Sequence, residues 1–222
     1  MFFSNAPPNV ETPNKYIKYA KEETPAQRVS SQINRFLESK LVFLDKNSLA
    51  LNAKLDALEL PSRKGVFMMP IFPMDFGYTT YERQNYMTNR FLVDSNLQNQ
   101  VKNIWRFFNS FPHQPTSDDD IKAVLQNVKE NVDKIKARGG DVLFVRTPSS
   151  EFYKDIETKD YSRERFWNPL LAYTNCKGVH YADYQAIDHF ICPEYSHLAP
   201  QQAYIFTKEL IEILRRDKGW EF

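Results

Sequence analysis

The segment from Ser117 to Pro148 constrains the fold more than any other part of the chain. Ser117-Asp118-Asp119-Asp120 joins a helix-capping hydroxyl to three acids in the first turn, where carboxylates favour the positive end of the helix dipole. Ile121, Val124, Leu125, Val128, Val132 and Ile135 then keep to one helical face, and Gly139-Gly140 supplies the stop. Asp141-Val142-Leu143-Phe144-Val145-Arg146-Thr147-Pro148 follows at once. An apolar run directly after a helix reads as a strand buried on both faces of a parallel sheet. Gly178 to Asp183 offers a second, shorter strand, and Pro200 opens a last helix with Ala203, Phe206, Leu210 and Leu214 as its buried row. Helix, strand, excursion, strand, helix is the grammar of an α/β protein with a central parallel sheet. Ligands in such sheets bind beyond the C-terminal strand ends, here Arg146 to Ser150 and the segment after Asp183.

The first half is less regular. Asn5 to Pro13 reads as a proline-broken loop, and Thr24-Pro25 as the cap and first residue of a helix carrying Val29, Ile33, Phe36, Leu37 and Leu41. Leu51, Leu55 and Leu58 repeat the helical spacing, and the two stretches are expected to form an antiparallel pair. Residues 65 to 94 are apolar and then crowded with Tyr, Thr and Asn, which suits an irregular surface loop or the cover of a cleft. Leu97, Val101, Ile104, Trp105 and Phe108 mark an amphipathic helix that stops near Pro112. Residues 1–110 are therefore read as an incomplete N-terminal part with a helical insertion and an aromatic loop. Residues 111–222 are read as the C-terminal α/β part of the same domain.

Composition removes several function classes. Lys and Arg total 29 against 28 Asp and Glu, a formal charge of +1, so neither counterion release on nucleic acid nor a polybasic membrane anchor is expected. With only 6 glycines, the chain holds neither GxGxxG nor GxxxxGK[ST], which excludes a phosphate loop of either kind. Cys176 and Cys192 have no CxxC spacing. The most apolar stretch, Val66 to Met74, is short and broken by Pro70 and Pro73, and no signal peptide is legible. The sequence leaves the compartment open.

Four histidines carry the possible chemistry. His113 lies in a proline-flanked loop. His180 and His189 lie near Asp183 and Asp188, but their spacing matches no metal-ligand signature, and no metal or organic cofactor is expected. His197 sits in Phe190-Ile191-Cys192-Pro193-Glu194-Tyr195-Ser196-His197-Leu198, just before the last helix. A turn can bring Glu194, three residues earlier, onto imidazole Nδ1, fixing the tautomer and leaving Nε2 to take a proton from a nucleophile. The plainer alternative is a loop histidine paired with its neighbour. Arg146 and Ser149, at the end of the long strand, are candidate substrate contacts, Arg146 for a carboxylate or phosphate. An ordinary ion pair is the alternative for Arg146, and helix capping the alternative for Ser149.

Taken together, the strand ending Thr147-Pro148-Ser149-Ser150, the Tyr181-Ala182-Asp183 strand, the Glu194-x-x-His197-Leu198 loop and the helix from Ala199-Pro200 resemble the closing section of SGNH (GDSL-type) hydrolases. The likeness is nearest to members acting in D-alanyl-lipoteichoic acid synthesis and polysaccharide O-acetylation. It implies a flavodoxin-like three-layer fold, present in part, and a serine esterase or O-acyltransferase that needs no cofactor. An ester or cell-envelope polysaccharide would be the substrate, with His197 as general base and Glu194 as its orienting acid. The family acid is normally Asp, so Asp183 and Asp188 remain rival partners of His197. No Gly-Asp-Ser-like turn is present for the nucleophile. Met1-Phe2-Phe3-Ser4-Asn5 would end a third strand with Asn5 in the oxyanion hole, the first strands and the serine lying upstream of Met1; alternatively it is a shortened first strand with Ser4 as nucleophile. The former would leave the Val142–Val145 strand with an open edge and a tendency to self-associate.

Overall fold

The computed structural model describes residues 7–44, 49–56, 58, 64–65, 69–80, 84–112 and 116–221. The expected strand at Met1–Phe3, Ser4, Asn5 and His113 lie outside the described residues. The chain forms two units, residues 1–74 with 78–85 and residues 75–77 with 86–222.

The first unit is helical: α1 (Pro7–Glu22), α2 (Pro25–Lys40) and the short α3 (Leu51–Asp56). Of the proline-broken loop expected from Asn5 to Pro13, the described residues, from Pro7 on, are instead helix. Pro13 lies inside α1, where its missing N–H removes one backbone bond without ending the helix. At α2 the Thr24-Pro25 start is a full capping box: Gln27 N–H donates to Thr24 Oγ1, and Thr24 N–H to Gln27 Oε1 at 2.8 Å. The antiparallel pair read from the leucine spacing does not bury its rows. Val29, Ile33 and Phe36 are exposed on α2, and Leu51 and Leu55 on α3, which is only six residues long. Periodicity decides which face of a helix is apolar; it does not provide a neighbour for it.

β1 (Gly77–Thr79) and β2 (Asn85–Met87) form a two-stranded sheet. Thr88 Oγ1 caps α4 (Asn89–Val93) by accepting from Phe91 N–H at 3.0 Å, and Asp94 caps α5 (Ser95–Asn109) through Asn96 and Leu97 N–H. Leu97, Val101 and Ile104 form the buried row of α5. α6 (Asp118–Lys136) begins with the Ser117–Asp120 capping box, as its acidic first turn implies.

β3 (Leu143–Arg146) follows, then α7 (Glu151–Asp160), a π-helical turn at Arg163–Trp167, α8 (Asn168–Thr174) and β4 (Lys177–His180). β3 and β4 pair in parallel, Leu143 opposite Lys177 and Arg146 opposite His180. The unit is thus α/β, mostly helical, around one parallel pair. The β3 ladder is shorter than the apolar run and is not buried on both faces: Leu143 and Phe144 are half-buried and Val145 is 37 % exposed. Among the described residues β4 is its only ladder partner, so the outer edge of β3 is open there. The second strand also ends earlier than its sequence suggests, because Tyr181–Asp183 turns into a 3-10 helix.

α9 (Pro200–Lys218) covers the pair. Val179, Tyr181, Ile187, Phe190, Phe206, Ile213 and Leu214 make the core, with Leu143, Leu198 and Leu210 packed against it. Gly178 is needed for close packing, since a Cβ there would meet Leu171 and Trp167 side-chain atoms at 2.8 Å.

Candidate active site at the strand ends

The loop that carries His197 is sewn to the end of β3. Ser150 N–H donates to Tyr195 O at 2.8 Å, and Cys192 N–H donates to Ser150 Oγ at 2.8 Å. Cys192 Sγ lies 3.5 Å from Pro148 O, and Tyr195 N–H closes a turn onto Cys192 O at 3.1 Å. Ser150 therefore starts α7 while its hydroxyl serves the other loop. Two non-glycine residues at this seam have left-handed backbones, Glu151 at φ 46° and Tyr195 at φ 84°. Strain of this kind persists only where the surroundings hold it, and it gathers at functional sites.

Glu194 is at the centre of the loop and is fully buried, 0 % exposed. Its Oε1 accepts from the His197 backbone N–H at 2.7 Å and from Ser196 N–H at 3.3 Å, and it lies 2.7 Å from His197 Nδ1. Ser196 Oγ bridges both carboxylate oxygens at 3.1 and 3.2 Å. On the far side Trp105 Nε1 donates to Oε2 at 2.5 Å. The His197 ring is 68 % exposed, and the Glu194 carboxylate holds its pKa above the ordinary imidazole value against the opposing effect of burial. With Nδ1–H given to Glu194, a neutral His197 presents an unprotonated Nε2. Ser196 Oγ lies on the Nδ1 side, 3.0 Å from that nitrogen. Among the described residues, none is bonded to Nε2.

The rival acids are engaged elsewhere. Asp183 forms a two-pronged pair with Arg163, at 2.5 and 2.9 Å, which holds its carboxyl below the usual range. Asp188 lies 3.8 Å from its neighbour His189. His180 Nδ1 accepts from Ala182 N–H at 3.2 Å, while burial and the Arg163 charge keep its pKa below the ordinary value. Among the described residues no group of three or more His, Cys, Asp or Glu side chains is placed to hold a metal ion.

Arg146 and Ser149 meet at Glu157. The Arg146 guanidinium pairs with Glu157 Oε2 and donates to Thr147 O at 3.1 Å, and the Ser149 hydroxyl donates to the same Glu157 oxygen. Ser149 is 5 % exposed, with its hydroxyl on Glu157. Arg146 and Glu157 line an open groove of about 410 Å³ with Asn109, Tyr153, Ile156 and Tyr161. The groove adjoins the Glu194 side of the site: Asn109 Nδ2 donates to Tyr153 Oη at 3.1 Å, and the Tyr153 ring packs 6.0 Å from Trp105 and 5.6 Å from Tyr195.

Sequence reasoning missed Trp105, Asn109 and Tyr153 as parts of the site. Trp105 stood in the apolar row of its helix, and the one available signal was general: a buried indole N–H seeks an acceptor. Nothing in the spacing linked Trp105 to Glu194, 89 residues away. No helix among the described residues is long and apolar enough to cross a membrane. Comparison with protein-family models, with curated proteins and with solved structures finds no match.

Proposed function

We propose that the chain carries the histidine-bearing portion of an SGNH-like serine esterase or O-acyltransferase, acting on an ester or a cell-envelope polysaccharide. The observation that carries this reading is the fully buried Glu194 carboxylate, 2.7 Å from Nδ1 of a histidine whose Nε2 is unengaged among the described residues. A carboxylate on Nδ1 orients the ring and stabilises the imidazolium that forms when Nε2 takes a proton. The larger parallel sheet of that fold, extending the β3–β4 pair, belongs to the same proposal.

The chemistry would run in two halves. The serine Oγ–H gives its proton to His197 Nε2 as Oγ attacks the ester carbonyl. The tetrahedral adduct collapses, His197 returns the proton to the departing alcohol, and the acyl group stays on the serine. Water or a sugar hydroxyl then attacks in the same way and releases the enzyme. The groove beside Arg146, Glu157 and Tyr153 is the space offered to substrate. Among the described residues no serine hydroxyl is bonded to Nε2, and active-site labelling identifies the nucleophile.

The test is hydrolysis of p-nitrophenyl acetate by the purified chain, with fluorophosphonate labelling and peptide mapping to find the serine. Activity that disappears in His197→Ala supports the proposal. Activity that persists in that variant removes His197 from the mechanism. A second reading, a non-catalytic α/β protein, is favoured by the lack of any hydroxyl or thiol on Nε2 among the described residues. It takes the lead if neither hydrolysis nor labelling is seen.

A further inference from the structure

The two oxygens of Glu194 are held by different parts of the molecule. Oε1 receives the His197 Nδ1 and the backbone N–H groups of Ser196 and His197, all from the loop to which Glu194 itself belongs. These donors move with the acid. Oε2 receives the indole N–H of Trp105, from α5, at 2.5 Å, and otherwise, among the described residues, only a share of Ser196 Oγ. The indole is itself fixed: Phe108 packs edge-on at 6.3 Å and Tyr153 at 6.0 Å, and Asn109 Nδ2 ties Trp105 O to Tyr153 Oη.

We propose that Trp105 is a positioning residue for the Glu194–His197 pair: by holding Oε2, its indole N–H turns Oε1 towards His197 Nδ1. This inference rests on the reading of His197 as general base. Loss of the N–H leaves the buried Oε2 with one shared hydroxyl among the described residues, and the carboxylate is then freer to turn. The neighbouring charged groups do not replace it. Lys102 pairs with Glu151 and lies with Arg106 against the Tyr195 ring, and the Tyr153 hydroxyl is bonded to Asn109.

The experiment places 3-benzothienylalanine at position 105, which keeps the indole shape and has sulfur in place of N–H. Trp105→Phe serves as a second donor-deleted form. The His197 titration is followed by NMR, with His197→Gln to assign the resonance and Glu194→Gln as reference. The expected result is a His197 pKa that falls from its wild-type value towards the Glu194→Gln value in both forms. Where the chain hydrolyses p-nitrophenyl acetate, kcat falls about tenfold with KM little changed, the rate equivalent of one charge-assisted bond. A His197 titration that stays in place or moves upward in the folded sulfur analogue overturns the positioning role, even if stability drops. If Glu194→Gln itself leaves the His197 titration unmoved, the pair beneath the proposed function fails instead.

Discussion

Replacing Glu194 by Gln is the most informative change to the fold and the site together. The carboxylate only accepts, and it accepts from Trp105 Nε1, His197 N–H, Ser196 N–H and the His197 ring. An amide has one oxygen. If that oxygen stays with the loop N–H groups, the NH2 faces the Trp105 N–H; if it turns, the NH2 faces His197. Either way a donor meets a donor in a site that is 0 % exposed. An unsatisfied buried group costs about 1–3 kcal/mol, and losing bonds to a charged acceptor adds to it. The ionic attraction to His197 adds about 1 kcal/mol or less, because water reaches most of that ring. About 3 kcal/mol in all corresponds to a Tm loss of roughly 6–12 °C for a protein of this size.

The pH dependence separates the two contributions. His197 has a raised pKa in the folded state, so its charge contributes stability that is fully present below the ordinary imidazole pKa and fades as pH rises through the raised value. Glu194→Gln removes that share, so the gap between wild type and variant should be larger at pH 5.5 than at pH 9. The donor clash remains at both. Urea unfolding of the two proteins at both pH values, with light scattering to exclude aggregation, measures this. A gap that is equal at the two pH values, or wider at pH 9, refutes the ionic part of the reasoning. A loss below 1 kcal/mol refutes the buried-acceptor part.

The remaining predictions concern reactivity, packing and pH. Burial pushes the Cys192 thiol up to about 11, so Ellman's reagent at pH 8 should modify Cys176 in the native protein and reach Cys192 only after unfolding. Gly178→Ala should cost about 1–3 kcal/mol by urea titration, because the new methyl meets Leu171 and Trp167 at 2.8 Å; a neutral result would show that those side chains yield freely. Any hydrolysis that depends on His197 should rise with pH through its raised pKa, since only the neutral ring accepts a proton, and Glu194→Gln should move that limb to lower pH.

How much was legible can be judged from particular elements. The helix starts at Pro25 and Asp118 were readable because a cap acts over three or four residues: Thr24 with Gln27, Ser117 with Asp120. The parallel pair was readable as an apolar run and a shorter echo, but its burial was not. Hydrophobicity alone does not say how many strands or helices lie against Val145, which is 37 % exposed. The same gap explains α2, whose apolar row is regular in sequence and open in the structure. Pro13 went the other way: one missing N–H reads as a break, yet the bonds on either side carry α1 through it.

The site divides along the same line. Glu194 and His197 are three residues apart, and the sequence by itself determined that one turn brings them together. It also determined that the loop stands before the last helix, after the second strand. Only the tertiary structure decided which acid serves His197, because Asp183 is claimed by Arg163 and Asp188 lies beside His189. Only the tertiary structure placed the Trp105 N–H on Oε2, across 89 residues of chain. Caps and turns are fixed by neighbouring atoms of the backbone, whereas the partner of a buried carboxylate is fixed by how α5, α7 and the loop before α9 pack.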